Sequence, residues 1–66
     1  MKIRLNNEPR QIDEGTTIGT LIDQLELKPQ FVAVELNKEL IPREKHDAHV
    51  LAENDSVEIV TLVGGG

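Results

Sequence analysis

The sequence predicts an α+β domain in which one main helix lies across a mixed sheet of four to five strands. Three observations carry that prediction. The chain opens and closes on segments of two-residue alternation, Met1 to Leu5 and Ser56 to Leu62, the mark of strands with one face buried. Only one stretch, beginning at Thr16, switches to helical spacing. At 66 residues, the chain has material for one small core, and a domain of this size buries only about 60% of its unfolded surface.

The elements follow in order. In Met1 to Leu5, Ile3 and Leu5 share one side and Lys2 and Arg4 the other. Asn6-Asn7 follows, and asparagine accepts the left-handed backbone that tight hairpins require. A second strand is expected at about Arg10 to Asp13, with Pro9, which has no N–H to donate, at its start on a sheet edge. Ile18, Leu21, Ile22 and Leu25 then fall on one helical stripe, with Asp23, Gln24 and Glu26 toward water. Thr16 or Thr17 caps the start, Asp13 and Glu14 favour the positive end of the helix dipole, and Lys28 and Pro29 mark the stop. The expected helix has roughly nine or ten residues, too short to persist alone, so it must lie on a sheet.

Phe31 to Leu36 reads as a third strand, with Val32, Val34 and Leu36 on one face and Phe31, Ala33 and Glu35 on the other. Asn37-Lys38 is a turn, and Glu39 to Ile41 a short fourth strand ended by Pro42. Arg43 to Ala52 has mixed spacing and reads as a connection with one helical turn, packed through Ala48, Val50 and Leu51. Asn54-Asp55 turns the chain into the last strand. There Glu58 must face water, which places Val57, Ile59 and Thr61 inward and Val60 and Leu62 outward. With Phe31 and Ala33 on the same outward parity, Val60 and Leu62 form a candidate docking patch. The resulting order, one helix crossing a mixed sheet, is that of a β-grasp.

Composition narrows function by exclusion. Phe31 is the only aromatic and the formal net charge is −5, so stacking surface for bases is scarce and phosphate is repelled; nucleic-acid binding is not expected. The chain has no cysteine, hence no disulfide framework and no cysteine-based zinc site. No apolar run approaches the roughly 18 residues a membrane span needs, and the charged start at Lys2 and Arg4 does not read as a signal peptide, so no membrane partner and a cytoplasmic location are expected. Residues 34–66 hold seven acids against three bases, which favours a basic partner surface. His46 and His49 are three apart, but two imidazoles without a third ligand make a poor metal site, and both are read as solvated. Carboxylates at Asp13-Glu14 and Glu44 to Asp47 face no matching nucleophile, so no catalytic residue is assigned.

The glycine run Gly64-Gly65-Gly66 is the one shift in composition, and it divides the chain into a domain at 1–62 and a flexible tail at 63–66. Glycine has no Cβ, so such a tail enters a passage closed to other residues and leaves the terminal carbonyl carbon open to attack. Three extended residues reach about 10 Å at roughly 3.3–3.6 Å each. Ordering them costs on the order of 1–2 kcal/mol per residue, so affinity must come from the folded body.

Val34-Glu35-Leu36-Asn37, the segment Leu40-Ile41-Pro42-Arg43-Glu44, the strand Ser56 to Val60 and the ending Gly65-Gly66 together resemble the ubiquitin-like sulfur carriers, most closely the ThiS family of thiamine biosynthesis. The likeness covers essentially the whole chain. Asn54-Asp55 stands where many members carry Gly-Asp, and Gly64 lengthens the tail. The resemblance implies a carrier and co-substrate rather than an enzyme. An E1-like adenylating partner (ThiF-like), using ATP and Mg²⁺, would activate Gly66; a persulfide donor would convert it to a thiocarboxylate; and a ThiG-like thiazole synthase would accept the sulfur. The chain itself would bind no cofactor. Gly64 and Gly65 would enter the partner's active site, and Phe31, Ala33, Val60, Leu62 and Arg43 would dock. The small subunit of molybdopterin synthase shares fold and tail, and a β-grasp binding module with a passive tail, or a protein-conjugating modifier, are the readings from other classes.

Overall fold

The computed structural model describes residues 1–62. Its first unit is an antiparallel hairpin of β1 (Lys2–Leu5) and β2 (Glu8–Gln11). Asn6 and Asn7 sit at φ 52° and 70°, the left-handed pair that lets a two-residue loop match the strand twist. Because the loop is so tight, pairing begins at once with Leu5 opposite Glu8, and β2 starts two residues earlier than the expected Arg10. Pro9 therefore lies within the edge strand, opposite Arg4, where it removes no bond to β1. Met1 and Ile12 extend the ladder by exchanging both backbone hydrogen bonds at 2.8 Å.

Helix α1 (Ile18–Gln24) is capped by Thr17, whose hydroxyl accepts from the Thr20 amide at 3.0 Å. It has seven residues rather than nine or ten. Glu26 enters the left-handed region at φ 60°, and the Leu27 amide bonds back to the Ile22 carbonyl at 3.1 Å. That closing loop ends the helix before Lys28 or Pro29 is reached. Pro29–Phe31 form a 3-10 turn, so Phe31 precedes the third strand instead of opening it.

Strands β3 (Val32–Leu36) and β4 (Glu39–Ile41) pair through a second asparagine-led turn, Asn37 and Lys38, at φ 52° and 72°. Strand β5 (Ser56–Thr61) runs antiparallel to β3 and parallel to β1, so the sheet order is β2-β1-β5-β3-β4 with the last strand in the centre. This is the expected mixed sheet crossed by one helix.

The core lies between helix and sheet. Ile18, Leu21 and Ile22 of α1 meet Ile3, Val34 and Val57 of the sheet, all with at most 1% of their surface exposed. Each such side chain contributes about 1.5–3 kcal/mol by leaving water. Thr61, expected to point inward with Val57 and Ile59, is exposed. A seven-residue helix spans about 10 Å and cannot roof a six-residue strand of about 20 Å.

The connection between β4 and β5 contains the expected turn, a 3-10 segment at Arg43–Lys45. Of its three expected packing points only Leu51 is buried; Ala48 and Val50 are exposed. His46, expected in solvent, is buried instead. One ring nitrogen, Nε2, lies 3.1 Å from the Ile41 carbonyl, and the His46 carbonyl accepts the Gly19 amide at 2.9 Å, so this residue ties the connection to the start of the helix.

Candidate functional site

The helix covers one face of the sheet and leaves the other open. Alternation along β5 sends Val57 and Ile59 under the helix and Glu58 and Val60 outward. The β3–β5 register sets Ala33 opposite Val60 and Glu35 opposite Glu58. Beyond the named strands the ladder continues, since the Leu62 amide donates to the Phe31 carbonyl at 2.6 Å. Four of the predicted docking residues, Phe31, Ala33, Val60 and Leu62, are thus brought together at one end of two paired strands. Phe31, Val60 and Leu62 are 38%, 59% and 48% exposed, and Ala33 is half-buried.

Arg43 is not part of this group. It sits after β4 in the 3-10 turn, exposed, on a different segment from the two strands that carry the patch. Gly64, Gly65 and Gly66 lie outside the described residues.

Two features of the face were not singled out from the sequence. Leu40 on β4 is 64% exposed and stands opposite Glu35, extending the apolar surface sideways. Leu40 and Ile41 are both aliphatic, so alternation alone does not say which points out; the register with Val34 opposite Ile41 decides it. The second is Asn6. Its side-chain amide accepts from the Ile59 N–H at 2.8 Å and donates to the Ile59 carbonyl at 3.3 Å. One side chain thereby imitates the next residue of β1 and holds β5 where the backbone pairing of β1 has run out. β5 is secured up to Ile59, and Val60 to Leu62 continue along β3 beyond that point.

Among the described residues there is no group of three or more His, Cys, Asp or Glu side chains placed to hold a metal ion. No helix among them is long and apolar enough to cross a membrane. What the arrangement can do chemically is to offer an apolar, partly acidic face at the end of the central strand, at the point where the chain runs on into Val63 and three glycines.

The fold and this face define a β-grasp domain of the ubiquitin-like kind. The ThiS family model matches residues 3–66, and the chain belongs to the ThiS family. It is similar to the sulfur carrier protein ThiS of Bacillus subtilis, with 42% identity over 65 residues that cover 97% of this chain and 98% of that one. It is also 46% identical over its whole length to a thiazole synthase of Magnetococcus marinus, of which it spans only 20%. A crystal structure of the thiamine biosynthesis protein ThiS from Geobacter metallireducens superposes with a TM-score of 0.84 at 33% identity, each chain covered in full.

Proposed function

We propose that this chain is a sulfur carrier of thiamine biosynthesis, whose Gly66 carboxyl is activated, converted to a thiocarboxylate and used to supply sulfur for thiazole formation. The observation that carries the reading is the position of the exposed Val60 on the central strand and of the exposed Leu62 just past its end, immediately before Val63-Gly64-Gly65-Gly66. A folded body that docks through that face would aim the glycines into a partner.

The chemistry belongs to the partners. A carboxylate resists nucleophiles because it is negative and would have to expel oxide. Transfer of AMP from ATP, with Mg²⁺, on a ThiF-like adenylating enzyme would release pyrophosphate and give Gly66 a good leaving group. The terminal sulfur of a persulfide would displace AMP, and a thiol reductant would cleave the resulting S–S bond to leave the thiocarboxylate. That soft sulfur would then be transferred on a ThiG-like thiazole synthase. Gly64 and Gly65 leave the approach unhindered, since neither has a Cβ. The match to a thiazole synthase that contains a segment like this chain favours such an enzyme as the acceptor over the molybdopterin pathway.

The test is intact mass after incubation with an adenylating enzyme, ATP, Mg²⁺ and a sulfide source. The expected result is a gain equal to one oxygen replaced by sulfur, located at Gly66. Deleting Gly66 or replacing it with tryptophan should abolish the gain while the thermal melt is unchanged. A variant with tryptophan at the end that still delivers sulfur at the native rate would overturn the proposal.

A further inference from the structure

Glu35 and Glu58 face each other in the middle of the open face, both exposed. The bonds from Leu62 to Phe31 and from Asn37 to Ser56 fix the alternation of the β3–β5 ladder. In that alternation the pair Glu35 and Glu58 exchanges backbone bonds directly, with Cα atoms about 5.5 Å apart. Like charges so placed weaken a sheet. The adjoining strand carries a cation on the same side, Arg4, but its guanidinium donates to the Asn7 carbonyl at 3.0 Å. Among the side-chain hydrogen bonds of the described residues, from Arg4 on β1 to Asn6 against Ile59, neither carboxylate takes part. On two sides of them the surface is apolar, with Leu40 beside Glu35 and Ala33 and Val60 in the next row; Asn37 and Ser56 form the row on the other side, next to Arg4.

We propose that this pair receives a cationic side chain, a guanidinium, projecting from an otherwise apolar protein surface that packs on Leu40, Val60 and Leu62. This rests on the docking reading given above and states what the partner must bring to it. A planar guanidinium has donors on two edges and can bond both carboxylates at once, which a single ammonium does less well. The repulsion felt by the free domain becomes attraction once the cation is seated. The net charge of −5 adds long-range attraction for such a partner. Leu40, Ala33 and Val60 shield the contact from water on the two sides they occupy.

The test is the double variant Glu35→Gln with Glu58→Gln, compared with Val60→Arg. Binding to a ThiF-like adenylating enzyme and to a ThiG-like thiazole synthase is measured by calorimetry at two salt concentrations, beside thermal melts of the free domain. The glutamine variant should melt about 2–4 °C higher, because the repulsion is gone. It should bind at least one of the two enzymes roughly tenfold more weakly and with a flatter salt dependence. Unchanged affinity for both enzymes, or a lower melting temperature, would overturn the inference. If Val60→Arg abolishes binding while the glutamine variant binds normally, the docking face stands and only the guanidinium contact fails. If Val60→Arg binds normally, the docking face itself fails. A rise in the native protein's melting temperature on adding Mg²⁺ or Ca²⁺ alone would assign the carboxylates to a metal and equally overturn it.

Discussion

Along β3, Val34 is wholly buried beneath the helix, while its neighbour Glu35 stands in water opposite another glutamate. The same contrast holds on β5, between Val57, which is buried, and Val60, which is 59% exposed. The covered face gathers Ile3, Val34, Val57, Ile18, Leu21 and Ile22 into one core. The open face keeps Leu40, Val60 and Leu62 exposed beside two facing glutamates. The difference teaches where each kind of residue acts: the covered face determines whether the domain exists and, on the proposed reading, the open face determines what it meets.

The largest effects should therefore come from the covered face. Leu21→Ala removes a fully buried side chain from the helix stripe and should cost about 2–5 kcal/mol. Small domains have little stability to spare, so a thermal melt should show the variant largely unfolded or melting far below the native protein. A melt close to the native one would break the comparison, because the helix would then not be what holds the sheet.

A smaller effect is expected at the boundary between the two regions. Asn6→Ala removes both side-chain bonds to Ile59 and places alanine at a positive φ, for a combined cost of about 1–3 kcal/mol. Asn6→Asp separates the two causes. It keeps the acceptor for the Ile59 N–H and a residue that tolerates the left-handed region, losing only the donor to the carbonyl. Amide hydrogen exchange at Ile59 should accelerate most in the alanine variant and less in the aspartate variant. Equal protection in all three proteins would show that β5 is not held by this side chain.

Much of this architecture was legible in the sequence because local rules and tertiary demands agree. The asparagine turns at Asn6-Asn7 and Asn37-Lys38 match the structure, as do the strands expected at Met1 to Leu5 and Phe31 to Leu36 apart from their first residues; of the helical stripe, Ile18, Leu21 and Ile22 are buried on α1, while Leu25 is the half-buried cap. The four apolar residues Phe31, Ala33, Val60 and Leu62 share an outward parity in the sequence, and the β3–β5 register brings them together. What was not legible depends on partners distant in sequence. The helix ends at a left-handed Glu26, a position glycine usually takes, so no residue type announced the stop. His46 is polar by type, yet its bond to the Ile41 carbonyl lets it sit inside. The confrontation of Glu35 with Glu58 exists only in the register, since each taken singly is an ordinary outward glutamate on a half-buried strand.

The smallest effect on stability, and the sharpest test of the contrast, comes from making one chemical change on both faces. Valine to threonine keeps shape and β-branching and replaces a methyl by a hydroxyl, so strand preference is preserved. In Val34→Thr the hydroxyl is carried into the core, where burying it without a partner should cost about 1–3 kcal/mol. In Val60→Thr the hydroxyl meets water, and stability measured by urea titration should change by less than about 0.5 kcal/mol. Docking should reverse the ranking. Once a partner covers Val60 the threonine hydroxyl must be stripped of water, and affinity for that partner should fall several-fold although the free domain is intact. If Val60→Thr instead loses stability as Val34→Thr does and binds as the native protein does, the outer face is part of the core in all but position, and the division of labour between the two faces fails.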